Sequence, residues 1–267
     1  MIDGREDQAA GLRRLFRQTP PAVAAFYATG RYRAHHAILA AQRIARGHRK
    51  VLLLDEAVGD EALAASLGLP PGPDLLQMLD GRLTLAGLLQ PVAGLFGRVP
   101  AAAAALALPL LDEARRACLL EALRVLHRHA GFVLIHAGRD SAQDPSPFVQ
   151  AAPQRLLVAE ASASGASEAY QIIKQLSVAG AGSMHVAVAR ARNAEDGRNF
   201  FISLQALVRQ HIGVPLLWLG EVEHDDLAAG LTRTPAPPLA RETGAAFLRR
   251  LAGANAGTWR VAGSVSG

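Results

Sequence analysis

Short apolar runs alternate with amphipathic stretches along nearly the whole chain, and that alternation leaves few folds open. Val51–Leu54, closed by Asp55, is apolar at every position and not at every second one, the pattern of a parallel strand covered on both faces. Ala22–Phe26, Leu95–Val99, Phe132–Ile135, Arg155–Ala159, Met184–Ala189 and Pro215–Leu219 also read as strands. Between them the spacing predicts helices at Ala34–Arg46, Glu61–Leu67, Leu111–His129, Ser167–Ala179 and Asn199–His211, with short ones around Asp74–Leu79 and Thr84–Leu89. Strands and helices in this order predict one α/β domain built on a doubly wound, mostly parallel sheet. The 267 residues, 50% of them hydrophobic, suffice for one such core.

Charge and cysteine content narrow the function classes. The formal charge is +5, but Lys50 and Lys174 are the only lysines and the arginines are scattered along helices. No dense basic run with interleaved aromatics appears, so no nucleic-acid surface is expected. A single cysteine, Cys118, excludes an intramolecular disulfide and fits a reducing compartment. Its place in the apolar helix ACLLEALRVL points to a buried structural thiol. The N-terminal MIDGREDQ is polar and has no secretory character. No stretch has the ~18 uncharged apolar residues of a membrane span. A cytoplasmic protein is expected.

In a doubly wound sheet ligands bind beyond the carboxyl ends of the strands. Asp55, Glu56, His136, Arg139, Asp140, Arg190 and Asp225 fall near those ends. No three of them have metal-ligand spacing, and none pairs a nucleophile with an adjacent base. No metal is expected. His35-His36 and His127/His129 point to different sides of their helices, so solvated or capping roles are expected. Residues 21–56 have the strand, loop, helix and strand layout of a nucleotide-binding unit, but Tyr27–Ala34 keeps only Gly30 and lacks the Lys-Ser/Thr pair of a phosphate loop.

Residues 6–17 form an amphipathic helix, with Ala9, Leu12, Leu15 and Phe16 on one stripe. The QTPP segment at 18–21 breaks it. Its stripe has either its own domain or a partner to pack on. The chain is thus divided into an arm at 1–20, an α/β domain at 21–252 and a small, polar tail at 253–267 expected to be disordered. Gly244–Ala252 offers Phe247, Leu248 and Leu251 beside Arg249 and Arg250; this stripe is short, and core packing explains it better than a membrane surface.

Four segments in order resemble the MinD/ParA-type ATPases, and specifically the flagellar-number regulators called FlhG, FleN or YlxH. Residues 51–89 resemble their strand and switch region. Asp7-Gln8-Ala9-Ala10-Gly11-Leu12-Arg13 fits the branch's DQAxxLR motif, SEAYQIIKQL at 167–176 its DAYxLIK helix, and residues 213–231 its penultimate strand and following loop. The resemblance implies the sheet of deviant P-loop NTPases, and ATP with magnesium in the family at large. Here the positions that resemblance assigns to nucleotide are altered. The family's K-G-G-x-G-K-T/S falls on Ala28–Ala34, leaving Gly30 but placing Arg33 at the phosphate lysine and Ala34 at the magnesium hydroxyl. The D-x-D switch reads Asp55-Glu56-Ala57, so Ala57 stands at the water-activating carboxylate. His136 replaces the second-switch Asp, and Ala189 falls at the adenine-binding Asn. These changes remove cradle, metal ligand, water activation and base recognition, so no nucleotide cofactor is expected.

What the resemblance leaves intact is the arm. In the family it engages an FlhF-type, signal-recognition-like GTPase and stimulates it. That implies partner contact through Asp7, Gln8, Ala9, Leu12, Arg13, Leu15 and Phe16, with Gln8 reaching the partner's nucleotide. A glutamine amide can donate to phosphate while accepting from attacking water. Contacts with flagellar C-ring proteins or a flagellar transcriptional activator, and recruitment to the cell pole, are further implications. The competing readings are a working MinD-like ATPase that dimerises on ATP and binds membrane, and a partition-type DNA-binding protein.

Overall fold

Seven strands form one sheet in the order β3-β2-β4-β1-β5-β6-β7, every neighbouring pair parallel. The computed structural model describes residues 22–46, 50–81, 83–233 and 243–253. The strands are β1 (Ala22–Ala28), β2 (Val51–Asp55), β3 (Gly97–Pro100), β4 (Phe132–His136), β5 (Gln154–Glu160), β6 (Met184–Ala189) and β7 (Leu216–Glu221). The helices are α1 (Arg33–Ala45), α2 (Leu63–Ser66), α3 (Leu85–Leu88), α4 (Ala102–Ala107), α5 (Glu113–His129), α6 (Pro147–Ala151), α7 (Ala163–Val178), α8 (Ala194–His211), α9 (Leu227–Arg233) and α10 (Thr243–Ala252). The doubly wound α/β sheet expected from the sequence is present, parallel throughout.

Strand geometry divides the core in two. Successive side chains point to opposite faces, so Val23, Ala25 and Tyr27 of β1 join Leu52 and Leu54 of β2 under α5, α7, α8 and α10. Ala24, Phe26 and Ala28 join Val51 and Leu53 under α1 and α9. Both faces are covered, which is why the strands are apolar at consecutive positions. β1 sits in the middle, between β4 and β5.

Several boundaries differ from the sequence expectation for identifiable reasons. α7 and α8 start five residues or so before the periodic apolar pattern does, because Ser162 and Asn193 cap them by accepting from the N–H groups of Gly165 and Asp196. α5 is capped likewise by Asp112. β4, β5 and β7 run on through His136, Glu160 and Glu221, polar residues whose backbones still pair. The Asp74–Leu79 segment is a 3₁₀ turn at Leu75–Asp80, and the Glu61–Leu67 segment is a 3₁₀ turn at Gly59–Glu61 followed by α2. Three short helices, α4, α6 and α9, were not expected at all.

Two side-chain expectations are corrected. Cys118 is exposed; the inward stripe of α5 is Leu119, Ala122, Leu123 and Leu126, which turns residue 118 outward. His36 and His127 are buried, not solvated. His127 stacks on Phe247 of α10, with ring centroids 5.3 Å apart. Phe247 and Leu251 are fully buried, and Arg250 donates to Ala151 O at 3.2 Å. The apolar stripe of α10 therefore packs into the domain. Among the described residues no helix is long and apolar enough to cross a membrane. The arm at 1–20 and the tail past Gly253 lie outside the described residues.

The His127 contact makes α10 sensitive to acid. Burial pushes this imidazole down to about 4, and neither ring nitrogen has a hydrogen-bond partner. The native state keeps it neutral, whereas the unfolded chain takes up a proton below about 6.5. Its contribution is present above that value and lost as pH falls towards 4. Stability should drop by about 2 kcal/mol between pH 7 and pH 5 from this group. Urea denaturation of His127→Leu should lack that loss; an equal loss in the variant would refute the assignment.

Candidate functional site

The loop between β1 and α1 opens at the carboxyl rim of the sheet, beside the ends of β2, β4, β5 and β6. Thr29 is fully buried and anchors it: its N–H donates to Val158 O at 3.0 Å, and its Oγ1 accepts from the Glu160 N–H at 3.1 Å. Gly30 follows with φ +87°, and a Cβ there would come within 2.3 Å of Glu160 Oε2. Glycine is required both by the left-handed backbone and by the carboxylate above it.

Three carboxylates converge on this loop. The Gly30 N–H donates to Glu168 Oε2 at 3.0 Å. Arg33, the first residue of α1, folds back over the loop: its Nε donates to Gly30 O at 3.1 Å, one terminal nitrogen meets Glu61 Oε1 at 2.5 Å, and the other meets Glu168 Oε1 at 3.3 Å. Glu61 continues the chain of contacts, since its Oε2 accepts from the Arg139 N–H at 2.7 Å. Burial would raise the Glu61 carboxyl, but the Arg139 N–H and the Arg33 guanidinium outweigh it and hold it below the usual carboxylate range. Arg33 thus ties the β1 loop, the segment after β2, the segment after β4 and α7 into one network. Glu160 Oε2 lies 3.8 Å from His36 Nδ1, and burial lowers the His36 pKa.

A second polar cluster lies at the ends of β2, β3 and β4. Asp55 has no exposed side-chain surface. Its Oδ1 accepts from His136 Nδ1 at 2.8 Å, and its Oδ2 accepts from Arg98 Nε at 2.7 Å and the Leu63 N–H at 3.0 Å. Burial alone would raise this carboxyl; the bonds and charges of His136 and Arg98 prevail and lower it. Arg98 also donates to Pro71 O and Gln90 Oε1. Both oxygens of Asp55 are thus held by structural partners.

Beside it, Glu56 has the opposite character. Burial, reinforced by the Asp55 and Asp74 charges, pushes its carboxyl up to about 8 against the pull of Ser146. Ser146 Oγ donates to Oε2 at 2.6 Å, and Oε1 is buried with no partner.

All seven positions singled out at the rim are described. Gly30 and Arg33 meet in the loop, and Asp55 and His136 meet at the strand ends. Ala34, Ala57 and Ala189 are buried and present no polar atom of their side chains. Past Ala189, Arg190 adopts φ +59°, donates its N–H to Glu223 at 2.8 Å and lays its guanidinium 5.1 Å from the Tyr32 ring centroid. Asp7, Gln8, Ala9, Leu12, Arg13, Leu15 and Phe16 lie outside the described residues. Sequence reading missed Glu61, Glu160 and Glu168 as neighbours of the loop, and Arg98 as the partner of Asp55. Arg98 carried a usable signal, because a charge inside an apolar strand must be paired to be buried. Among the described residues, no group of three or more His, Cys, Asp or Glu side chains is placed to hold a metal ion.

Comparison with known proteins places this geometry. No family model matches the chain. In sequence it is similar to the antiactivator FleN of Pseudomonas aeruginosa, 27% identical over 179 residues, which are 67% of this chain and 64% of that protein. The match thus spans somewhat less than two thirds of the relative's length. In structure it is similar to a ParA family ATPase from Chlorobium tepidum, with TM-score 0.50 and 15% identity over 88% of this chain and 98% of that one. It is also similar to a chain of the MinC:MinD cell division protein complex of Aquifex aeolicus, with TM-score 0.51 and 18% identity over 86% and 93%. The two structural likenesses show the fold.

Proposed function

We propose that this FleN-like chain on a MinD/ParA-type fold regulates flagellar assembly, number or placement through protein contacts, while its own ATPase site is degenerate. The observation that carries the second half is the carboxylate cluster on the β1 loop. A phosphate loop offers free backbone N–H groups and a cation to an incoming polyanion. Here the Gly30 N–H is taken by Glu168, and Arg33 is matched by Glu61 and Glu168. A triphosphate would bring further negative charge against three glutamates, with Arg33 already matched by two of them, in a partly buried site where repulsion is strong. The residues present do not fit a magnesium triphosphate: Ala34 and Ala57 have no oxygen to give a metal, and Asp55 is already fully engaged.

The regulatory half draws on the similarity to FleN, described as an antiactivator, and on the DQAxxLR-like arm. Its first partner would be an FlhF-type GTPase, stimulated through Gln8, with Leu12, Leu15 and Phe16 anchoring the helix. A flagellar transcriptional activator or C-ring component would be a second contact. The working-ATPase alternative needs a membrane anchor, and the α10 stripe is spent on the core.

Two assays test this. Calorimetry of Mg·ATP against the full chain should detect no binding at about 1 mM ligand; saturable binding with turnover would end the degenerate-site reading. A GTPase assay on the cognate FlhF-type partner should show stimulation by the intact chain and its loss in Gln8→Ala and on deletion of residues 1–18. Undiminished stimulation by both would remove the effector role.

A further inference from the structure

A cavity of about 320 Å³ opens on the rim away from the Arg33 network, between the ends of β2 and β4 and helices α4 and α6. Its lining includes two acidic side chains, Glu56 and Asp144, and no Lys or Arg. Glu56 Oε1 is buried there without a hydrogen-bond partner, and a polar atom left in that state costs free energy until a partner reaches it. Two aliphatic side chains of the lining have most of their surface in water: Val58 at 70% and Leu106 at 75%. Singly such residues are ordinary, but clustered beside a cavity they mark a contact surface.

We propose that this groove receives a Lys or Arg side chain from a partner protein, carried on a segment with aliphatic residues on either side, the cation meeting Glu56 Oε1. Charge complementarity selects the occupant. A cation entering the cavity takes the place of the proton that burial keeps on Glu56, faces a second carboxylate at Asp144, and meets no cationic side chain in the lining. The aliphatic rim selects a peptide segment over a free amine, since an amine would leave Val58 and Leu106 in water. The surface goes beyond the flagellar reading and rests on no part of it, because the residues involved are neither in the arm nor in the nucleotide loop.

The probe is the capped peptide acetyl-Leu-Ala-Arg-Ala-Leu-amide, titrated into the full-length chain by NMR at pH 9, above the value of about 8 at which Glu56 gives up its proton, with the citrulline analogue as its uncharged match. The arginine peptide should bind about tenfold more tightly than the citrulline peptide, the factor expected for one charge-assisted hydrogen bond. Glu56→Gln should erase that preference. Val58→Ser with Leu106→Ser, both highly exposed and so harmless to folding, should weaken the peptide as well. No binding, or equal binding of the two peptides, would overturn the proposal. Binding seen only when Arg13→Gln, Arg14→Gln and Arg17→Gln are introduced together would also overturn it, by showing the chain's own arm in the groove. Self-association that Glu56→Gln abolishes would overturn it in favour of a second copy.

Discussion

Asp55→Asn lowers stability by about 3–5 kcal/mol, the range for breaking a buried ion pair by removing one partner. The change keeps the shape of the side chain and removes its charge. Arg98 is then left 2% exposed with its cation uncompensated, and His136 Nδ1 faces an amide in place of a carboxylate. The loss is a property of the pair and not of one residue. Adding Arg98→Met to Asp55→Asn should therefore recover much of it, a coupling that a double-mutant cycle reads directly. Recovery stays incomplete because Arg98 also serves Gln90 and the Pro71 carbonyl. Urea denaturation of the four chains checks this. A cost under about 1 kcal/mol for Asp55→Asn would mean that water reaches the site and that burial of the cluster is overstated.

The second large effect comes from Glu56 and has the opposite dependence on pH. The native state holds a proton on this carboxyl up to about 8, whereas the unfolded chain releases it near 4.5. Between those values the folded state binds more protons, so stability falls as pH rises. The contribution is complete below about 4.5 and gone above about 8, which amounts to at most about 4 kcal/mol between pH 5 and pH 9. Glu56→Gln copies the neutral form and should flatten this decline, leaving the variant more stable than the parent chain at pH 9. Denaturation curves at both pH values decide it. Parallel declines in the two chains would show that Glu56 is charged throughout.

Much of the architecture was legible because buried parallel strands write themselves as unbroken apolar runs. VLLLD at 51–55 was found that way, as were the cores of β4, β5 and β6. The ends were harder to place. Periodicity stops at Glu160 and Glu221, where the ladder does not, and the first turns of α7 and α8 are polar or small, so only their caps announce them. The rim was legible in a narrower sense. Gly30, Arg33, Asp55 and His136 could be picked out singly, but their partners are set by folding. Arg98 is 43 residues from Asp55, and Glu168 is 138 from Gly30. Such pairs exist only once β2, β3 and β4 lie side by side and α7 closes over the loop. Glu56 looked like an ordinary strand-end carboxylate, and its elevated pKa follows from burial and the neighbouring Asp55, which local sequence does not report.

The strand order bears on how the two ends of this molecule relate. Ala22 opens β1, the middle strand, and six residues later Ala28 delivers the chain to the loop at the opposite edge. At about 3.3 Å per residue the point where the leading segment joins the body lies roughly 20 Å from Gly30, through the most rigid part of the core. Substitutions that accumulate at one edge are thereby insulated from the attachment point at the other. A sheet of this kind lets its loop chemistry change without disturbing the strand end at which the leading segment joins the body.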